Sequence, residues 1–124
     1  MAAAPEFDVQ QFDGGRLFDA VPSWIAVVSR DLRLVAANKK LAEDFGQRLG
    51  ENCFAVYKGR SAPCPECPVI RTFEDGKDHT SEEKVFDRRG LPHDVVVNTR
   101  PLRDAGGQIV AVMELFTEIS VQKE

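Results

Sequence analysis

The last third of the chain limits the fold more than any other stretch. Ile109 to Thr117 reads IVAVMELFT, an apolar, β-branched run of strand length. His93 to Arg103 carries Val95, Val96, Val97 and Thr99 and reads as a second strand. His79 to Asp87 alternates moderately and reads as a third. The links between them are tight turns. Asp87-Arg88-Arg89-Gly90 has Asp first and Gly last, as a type I turn prefers, and Asp104-Ala105-Gly106-Gly107 is the other. Strands joined this closely form an antiparallel meander.

The first third supplies a hairpin to extend that sheet. Ser23 to Ser29 (SWIAVVS) is a near-continuous apolar run, Arg30-Asp31 is a polar turn, and Leu32 to Ala37 (LRLVAA) is a second short strand. Ahead of it, residues 1–15 read as a flexible or marginally helical lead, broken at Gly14-Gly15. Arg16 to Ala20 forms one helical turn, ended at Val21-Pro22 because the residue before proline is pushed out of the helical region.

Three short helices join the two halves. Asn38 is a strong N-cap, and Leu41, Phe45 and Leu49 follow on one helical face. Asn52 can cap a second helix running to Tyr57, with Cys53, Val56 and Tyr57 at helical spacing. Pro68 opens a third to about Glu74, with Val69, Ile70 and Phe73 on its apolar face and Gly76 as its stop. The class is therefore α+β: a five-stranded antiparallel sheet with short helices on one face. Trp24, Asn38, Phe45, Phe54, Tyr57, Ile70 and Phe73 are the candidates to line a pocket between helices and sheet. Core packing and, for Asn38, helix capping are the competing roles.

Composition narrows the function. A chain of 124 residues is one domain, and 43% hydrophobic with 29% charged residues is ordinary for a globular protein. A net charge of -4 argues against a nucleic-acid face, and the pairs Lys39-Lys40 and Arg88-Arg89 read as solvated surface. No apolar run approaches a membrane span, and the start MAAAPEFDVQQFDGG lacks the order of a signal peptide, so a cytoplasmic location is expected. No serine triad, phosphate loop or kinase motif is visible, and this domain is expected not to be an enzyme.

Cys53 to Pro68 (CFAVYKGRSAPCPECP) holds all three cysteines and the only tyrosine. Lys58 to Pro65 must be a loop, with Gly59, Ser61, Pro63 and Pro65 in it. Cys53, Cys64 and Cys67 are spaced C-x10-C-x2-C. The C-x2-C half suits a metal knuckle, with His79, His93 or Glu66 as a fourth ligand, while an iron–sulfur cluster normally needs four cysteines. The alternative reading makes Cys53 a small buried residue and Cys64 with Cys67 a loop pair able to form a disulfide. Cys67, at a helix start, is expected to have a lowered thiol pKa. A stand-alone redox or metal-binding protein is the competing function, although Pro65 and the missing βαβ context weaken the likeness to thiol–disulfide exchange motifs.

The ordered set resembles a PAS domain, the small sensory module of bacterial signalling proteins, over about residues 16–120. LFDAVPSWIAVVSRDLRLVAAN is similar to the family's opening, and GENCFAVYKGRSAPCPECPVIRTFEDG to a recurrent middle of the form G-x-x-C-[YF]-x-x-[YF]-x-G-x-x-x-P-C-x-x-C-P. TEIS stands in place of the closing D-I-T/S, with Glu118 for the usual Asp. The resemblance implies strand order 2-1-5-4-3 and a non-catalytic sensory and dimerisation role, upstream of a histidine kinase or related output. It also implies a homodimer, a small-molecule ligand, a signal relay through Glu118, Ile119 and Ser120, and residues 121–124 as the start of a connector. No flavin or haem signature accompanies it: Cys53 is not in the light-sensing context, and His79 and His93 stand alone.

Overall fold

The structure is a computed structural model and describes residues 14–119. The last strand in sequence takes the centre of the sheet. The elements run α1 (Gly14–Ala20), β1 (Trp24–Val28), β2 (Leu34–Ala37), α2 (Lys39–Phe45), α3 (Cys53–Lys58), α4 (Pro68–Asp75), β3 (His79–Phe86), β4 (Pro92–Arg103) and β5 (Ile109–Glu118). They form one five-stranded antiparallel sheet in the order β2-β1-β5-β4-β3, as expected. β5 thus lies between β1 of the hairpin and β4, pairing Trp24 with Phe116 on one side and Val97 with Phe116 on the other.

The helices cover one face. α4 crosses β3, β4 and β5, α2 packs on β1, and α3 packs on β3. Under them lie Val28, Val85, Val95, Val97, Val112 and Phe116 from the strands, and Leu41, Phe45, Val56 and Val69 from the helices. A buried hydroxyl pair, Thr72 Oγ1 to Thr99 Oγ1 at 2.7 Å, pins α4 to β4.

Local signals behave as their chemistry dictates, with four exceptions, the first being Leu32, which lies in the hairpin turn at φ 61 ahead of β2 and not in the strand. Gly14-Gly15, read as a break, is the first turn of α1. Leu49 does not continue the face of Leu41 and Phe45, because α2 ends at Gly46 with φ 92 and Leu49 is exposed. Asn52 precedes α3 but makes no side-chain cap; its amide instead donates to the carbonyls of Asp31 and Leu32, tying α3 to the hairpin turn. The stop at Gly76 is as expected, with φ 69 in the left-handed region and its N–H on Thr72 O. A Cβ there would stand 2.8 Å from the Arg103 guanidinium.

Candidate functional site

Asn38 shows what a fully used buried polar group looks like. It is wholly buried. Its Oδ1 accepts from Leu41 N at 3.1 Å, capping α2, and from Ile25 N at 3.2 Å. Its Nδ2 donates to Ser23 O at 2.7 Å and Val21 O at 3.3 Å. One side chain thereby locks the start of β1 to the start of α2, and no capacity is left for a ligand. Trp24, Phe45, Ile70 and Phe73 also stand outside the cavity described below. Trp24 donates its indole N–H to Asp44 at 2.7 Å and meets Phe45, His93 and Phe116 edge-on. Ile70 and Phe73 pack against the core, Phe73 beneath the Arg30 guanidinium.

The cavity lies between α3, the start of α4 and the sheet. It measures about 40 Å³ and is lined by Cys53, Phe54, Tyr57 and Lys58 of α3, by Cys64, Cys67 and Pro68, and by Glu83, Val85, Val97, Glu114 and Phe116 of the strands. The three cysteines, Phe54 and Tyr57 therefore converge, as their clustering in sequence suggested. Lys58 and Glu83 form an ion pair at this site, and Ser81 also donates to Glu83.

Glu114 is the residue that the sequence reading missed. Period-two alternation in β5 puts it on the inner face with Val112 and Phe116, and its cross-strand neighbours are the buried Ala26 and Thr99. It is 5% exposed, as is Tyr57. Burial pushes its pKa up to about 8; Glu83 adds to the rise, while Tyr57 and Lys58 hold it down. Glu114 is therefore mostly a neutral acid at pH 7. The Tyr57 hydroxyl lies beside it, also with its pKa raised by burial and by the carboxyl. Neither Tyr57 Oη nor Glu114 Oε1 has a partner with good hydrogen-bond geometry. A lone glutamate inside an apolar strand was the available signal; its neighbour on α3, Tyr57, is set only by tertiary packing.

The thiols are quiet. All three cysteines are free. Burial raises Cys53 far above the ordinary thiol range. Burial also raises Cys67, and it outweighs the N–H groups of Ile70 and Val69 that act in the expected downward direction. The helix-start argument for an activated Cys67 thus fails because the residue is buried. Among the described residues no group of three or more His, Cys, Asp or Glu is placed to hold a metal ion. The suggested fourth ligands are engaged or exposed: His79 binds Asp75, His93 binds Asp87, and Glu66 stands in solvent.

β5 carries the cavity floor toward the C-terminal end. Glu118 meets the His93 ring at 3.4 Å, and Ile119 N donates to Asp94 O at 2.9 Å. Burial pulls the His93 imidazole down, but its bonds to Asp87 and Glu118 prevail and its pKa is raised. Ser120 lies outside the described residues, as do residues 1–13 and 121–124.

The family model described as "PAS fold" matches residues 18–124. The chain belongs to the PAS family. Its fold is similar to that of the PAS domain of a Colwellia psychrerythraea protein, with TM-score 0.73, 18% identity, and 90% of this chain and 96% of that chain covered. It is also similar to the Vibrio cholerae VqmA dimer protein, with TM-score 0.69, 17% identity, and 92% of this chain but 53% of that chain covered. A PAS domain of Bordetella pertussis BvgS gives TM-score 0.58 at 18% identity, covering 86% and 82% of the two chains. Comparison with curated proteins gives no match. As a PAS domain the chain is a signal-sensing module. Among the described residues no helix is long and apolar enough to cross a membrane.

Proposed function

We propose that this PAS domain is a non-catalytic cytoplasmic sensor, working as a homodimer and relaying occupancy of the Tyr57–Glu114 cavity to a histidine kinase or related output region. The observation that carries this is the small apolar cavity between α3, the start of α4 and the sheet, with the buried Tyr57–Glu114 pair in its wall. The relay runs along β5. A ligand on Glu114 acts on the same strand that ends in Glu118 and Ile119, and His93 ties that end to β4 and the Asp87 turn. The outer sheet face and the leading helix are the surfaces for the second copy; Leu17 on α1 and Val35 on β2 are exposed apolar residues there. One solved relative, VqmA, is described as bound to DPO, which supports ligand binding as a use of this fold.

Native mass spectrometry and an absorbance spectrum of freshly purified protein test the reading. A retained small molecule that is lost in Tyr57→Trp, a change that fills the cavity, is the expected outcome. In the longer protein, the same variant is expected to lock output in one state, read as autophosphorylation. Sedimentation that shows only monomer at high concentration would count against the dimer.

The competing reading, a redox protein using Cys53, Cys64 and Cys67, draws on the one partly exposed thiol of the three, Cys64, beside the Lys58 ammonium. It requires that a thiol oxidant such as diamide change the protein at micromolar doses, and that Cys64→Ala abolish the change.

A further inference from the structure

Charge gathers at the end of the sheet where β5 finishes. Period-two alternation puts His93 in line with the buried Val95 of β4, and Glu118 in line with the buried Phe116 of β5. The His93 ring lies between two carboxylates: Nε2 is 2.8 Å from Asp87 Oδ2, and Nδ1 is 3.4 Å from Glu118 Oε2. Trp24 of β1 meets the ring edge-on, with 5.1 Å between centroids. On α2, Asp44 takes the Trp24 indole N–H at 2.7 Å and pairs with Lys40 at 3.1 Å. Asp44 and Asp87 repel each other, and Glu118 attracts Lys40. On the strands beside the ring, Asp94 of β4 pairs with Lys84 of β3 at 3.9 Å.

The two carboxylates are held unequally. Asp87 Oδ1 accepts from Arg89 N at 2.8 Å and Leu91 N at 3.0 Å, so its own turn fixes it. The Glu118 side chain is more than half exposed and makes the longer contact. An imidazolium donates from both nitrogens, whereas a neutral imidazole has one N–H and one lone pair. A neutral His93 keeps its N–H on Asp87 and turns its lone pair toward Glu118, which repels it. We propose that His93 is a pH-operated latch on the end of β5: protonated, it holds Glu118 against β4 and the Asp87 turn; neutral, it keeps Asp87 and releases Glu118. The next backbone bond, Ile119 N to Asp94 O at 2.9 Å, is the one that the latch protects. Burial lowers the His93 pKa, but the bonds to Asp87 and Glu118 outweigh it and raise the pKa above the ordinary 6.5. The stabilisation is therefore fully present below the unfolded value and is lost as pH rises through the folded one. This input goes beyond the sensory reading and makes no use of the cavity.

Trp24 is the chain's only tryptophan, and an imidazolium at its edge quenches indole fluorescence. Its emission and the NMR signals of the His93 ring and the Ile119 amide are followed from about pH 5.5 to about pH 8.5. All three should move with one midpoint, above 6.5. Exchange of the Ile119 amide with water, corrected for its intrinsic pH dependence, should quicken about threefold across that midpoint, the worth of one part-exposed ion pair. Glu114, its pKa pushed up to about 8, titrates in the same range. His93→Gln is therefore the reference: it keeps any Glu114 step and should lose the step at Trp24 and Ile119. Glu118→Gln keeps the shape and removes the charge. It should lower the His93 midpoint and leave Ile119 exchange at its fast value at every pH. Thermal melts show that both variants fold. The latch is overturned if Ile119 exchange stays constant through the His93 titration, if His93→Gln retains the wild-type step, or if Glu118→Gln leaves the midpoint unmoved. Those results concern the end of β5 alone; retention of a small molecule still decides the cavity reading.

Discussion

Asn38 and Glu114 are both buried polar side chains beneath the helices, and they stand in opposite conditions. Asn38 spends its amide on two donors and two acceptors of the backbone. Glu114 has an oxygen without a well-formed hydrogen bond, close to Tyr57 in the wall of the cavity. Both are held in place by neighbouring strands, so mobility does not explain the difference. The first is a structural joint that makes β1 and α2 start together. The second is retained against its own cost, since an unpaired buried group destabilises by roughly 1–3 kcal/mol. The comparison gives a working rule for this domain: polar atoms that are satisfied build it, and polar atoms that are not satisfied await something.

The largest expected effect is at the joint. Asn38→Ala strands two N–H groups and two carbonyls, and should destabilise by about 3 to 4 kcal/mol in urea denaturation. A loss under about 1 kcal/mol would mean that water replaces the amide and that the contrast with Glu114 is weak. Glu114→Leu should go the other way and stabilise by about 2 kcal/mol, because it removes an unpaired acid from the interior. Destabilisation would show that the carboxyl is already serving the fold.

The pH dependence isolates the same group. Burial pushes the Glu114 pKa up to about 8 in the folded chain, above the ordinary carboxyl value of 4.5. Between those values the folded state holds one more proton than the unfolded state, so stability falls as pH rises. The slope this group contributes is about 1.4 kcal/mol per pH unit, with its full contribution present below the unfolded pKa and gone above the folded one. The difference between wild type and Glu114→Gln, measured from pH 5 to 8, should show that slope. A flat difference would place Glu114 in contact with solvent. The smallest effect is at Tyr57→Phe, which removes a hydroxyl without a partner and should change stability by less than about 1 kcal/mol. A greater loss would mean that the hydroxyl serves the fold after all.

Most of the fold could be read from the chain because its signals are local. Val95 to Val97, the Asp-to-Gly turns, Asn38, Pro68 and Gly76 each act within a few residues of themselves, and each sits in the role its chemistry predicts. The central place of β5 came from family likeness and not from periodicity, which is silent on strand order. Leu49 was misplaced because a helical spacing continues on paper past a glycine that ends the helix. The candidate site was half legible. The cysteines, Phe54 and Tyr57 are close in sequence, so their convergence could be anticipated. The Cys67 environment could not, because burial and helix start push a thiol in opposite directions and only packing decides between them. Glu114 was visible as a polar interruption of IVAVMELFT, but nothing local says whether such a residue finds a partner.

The place of β5 also has a consequence in time. The open edge of β1 waits for its neighbour until the ribosome has made the last described strand, with Trp24 pairing to Phe116. At ordinary rates of synthesis the β1–β2 hairpin stands alone for on the order of ten seconds. Glu114 arrives on that final strand, so the cavity is the last part of the domain to exist. A nascent chain stalled before Ile109 has neither a closed sheet nor a floor for a ligand, and a ligand present during synthesis can reward only a finished domain.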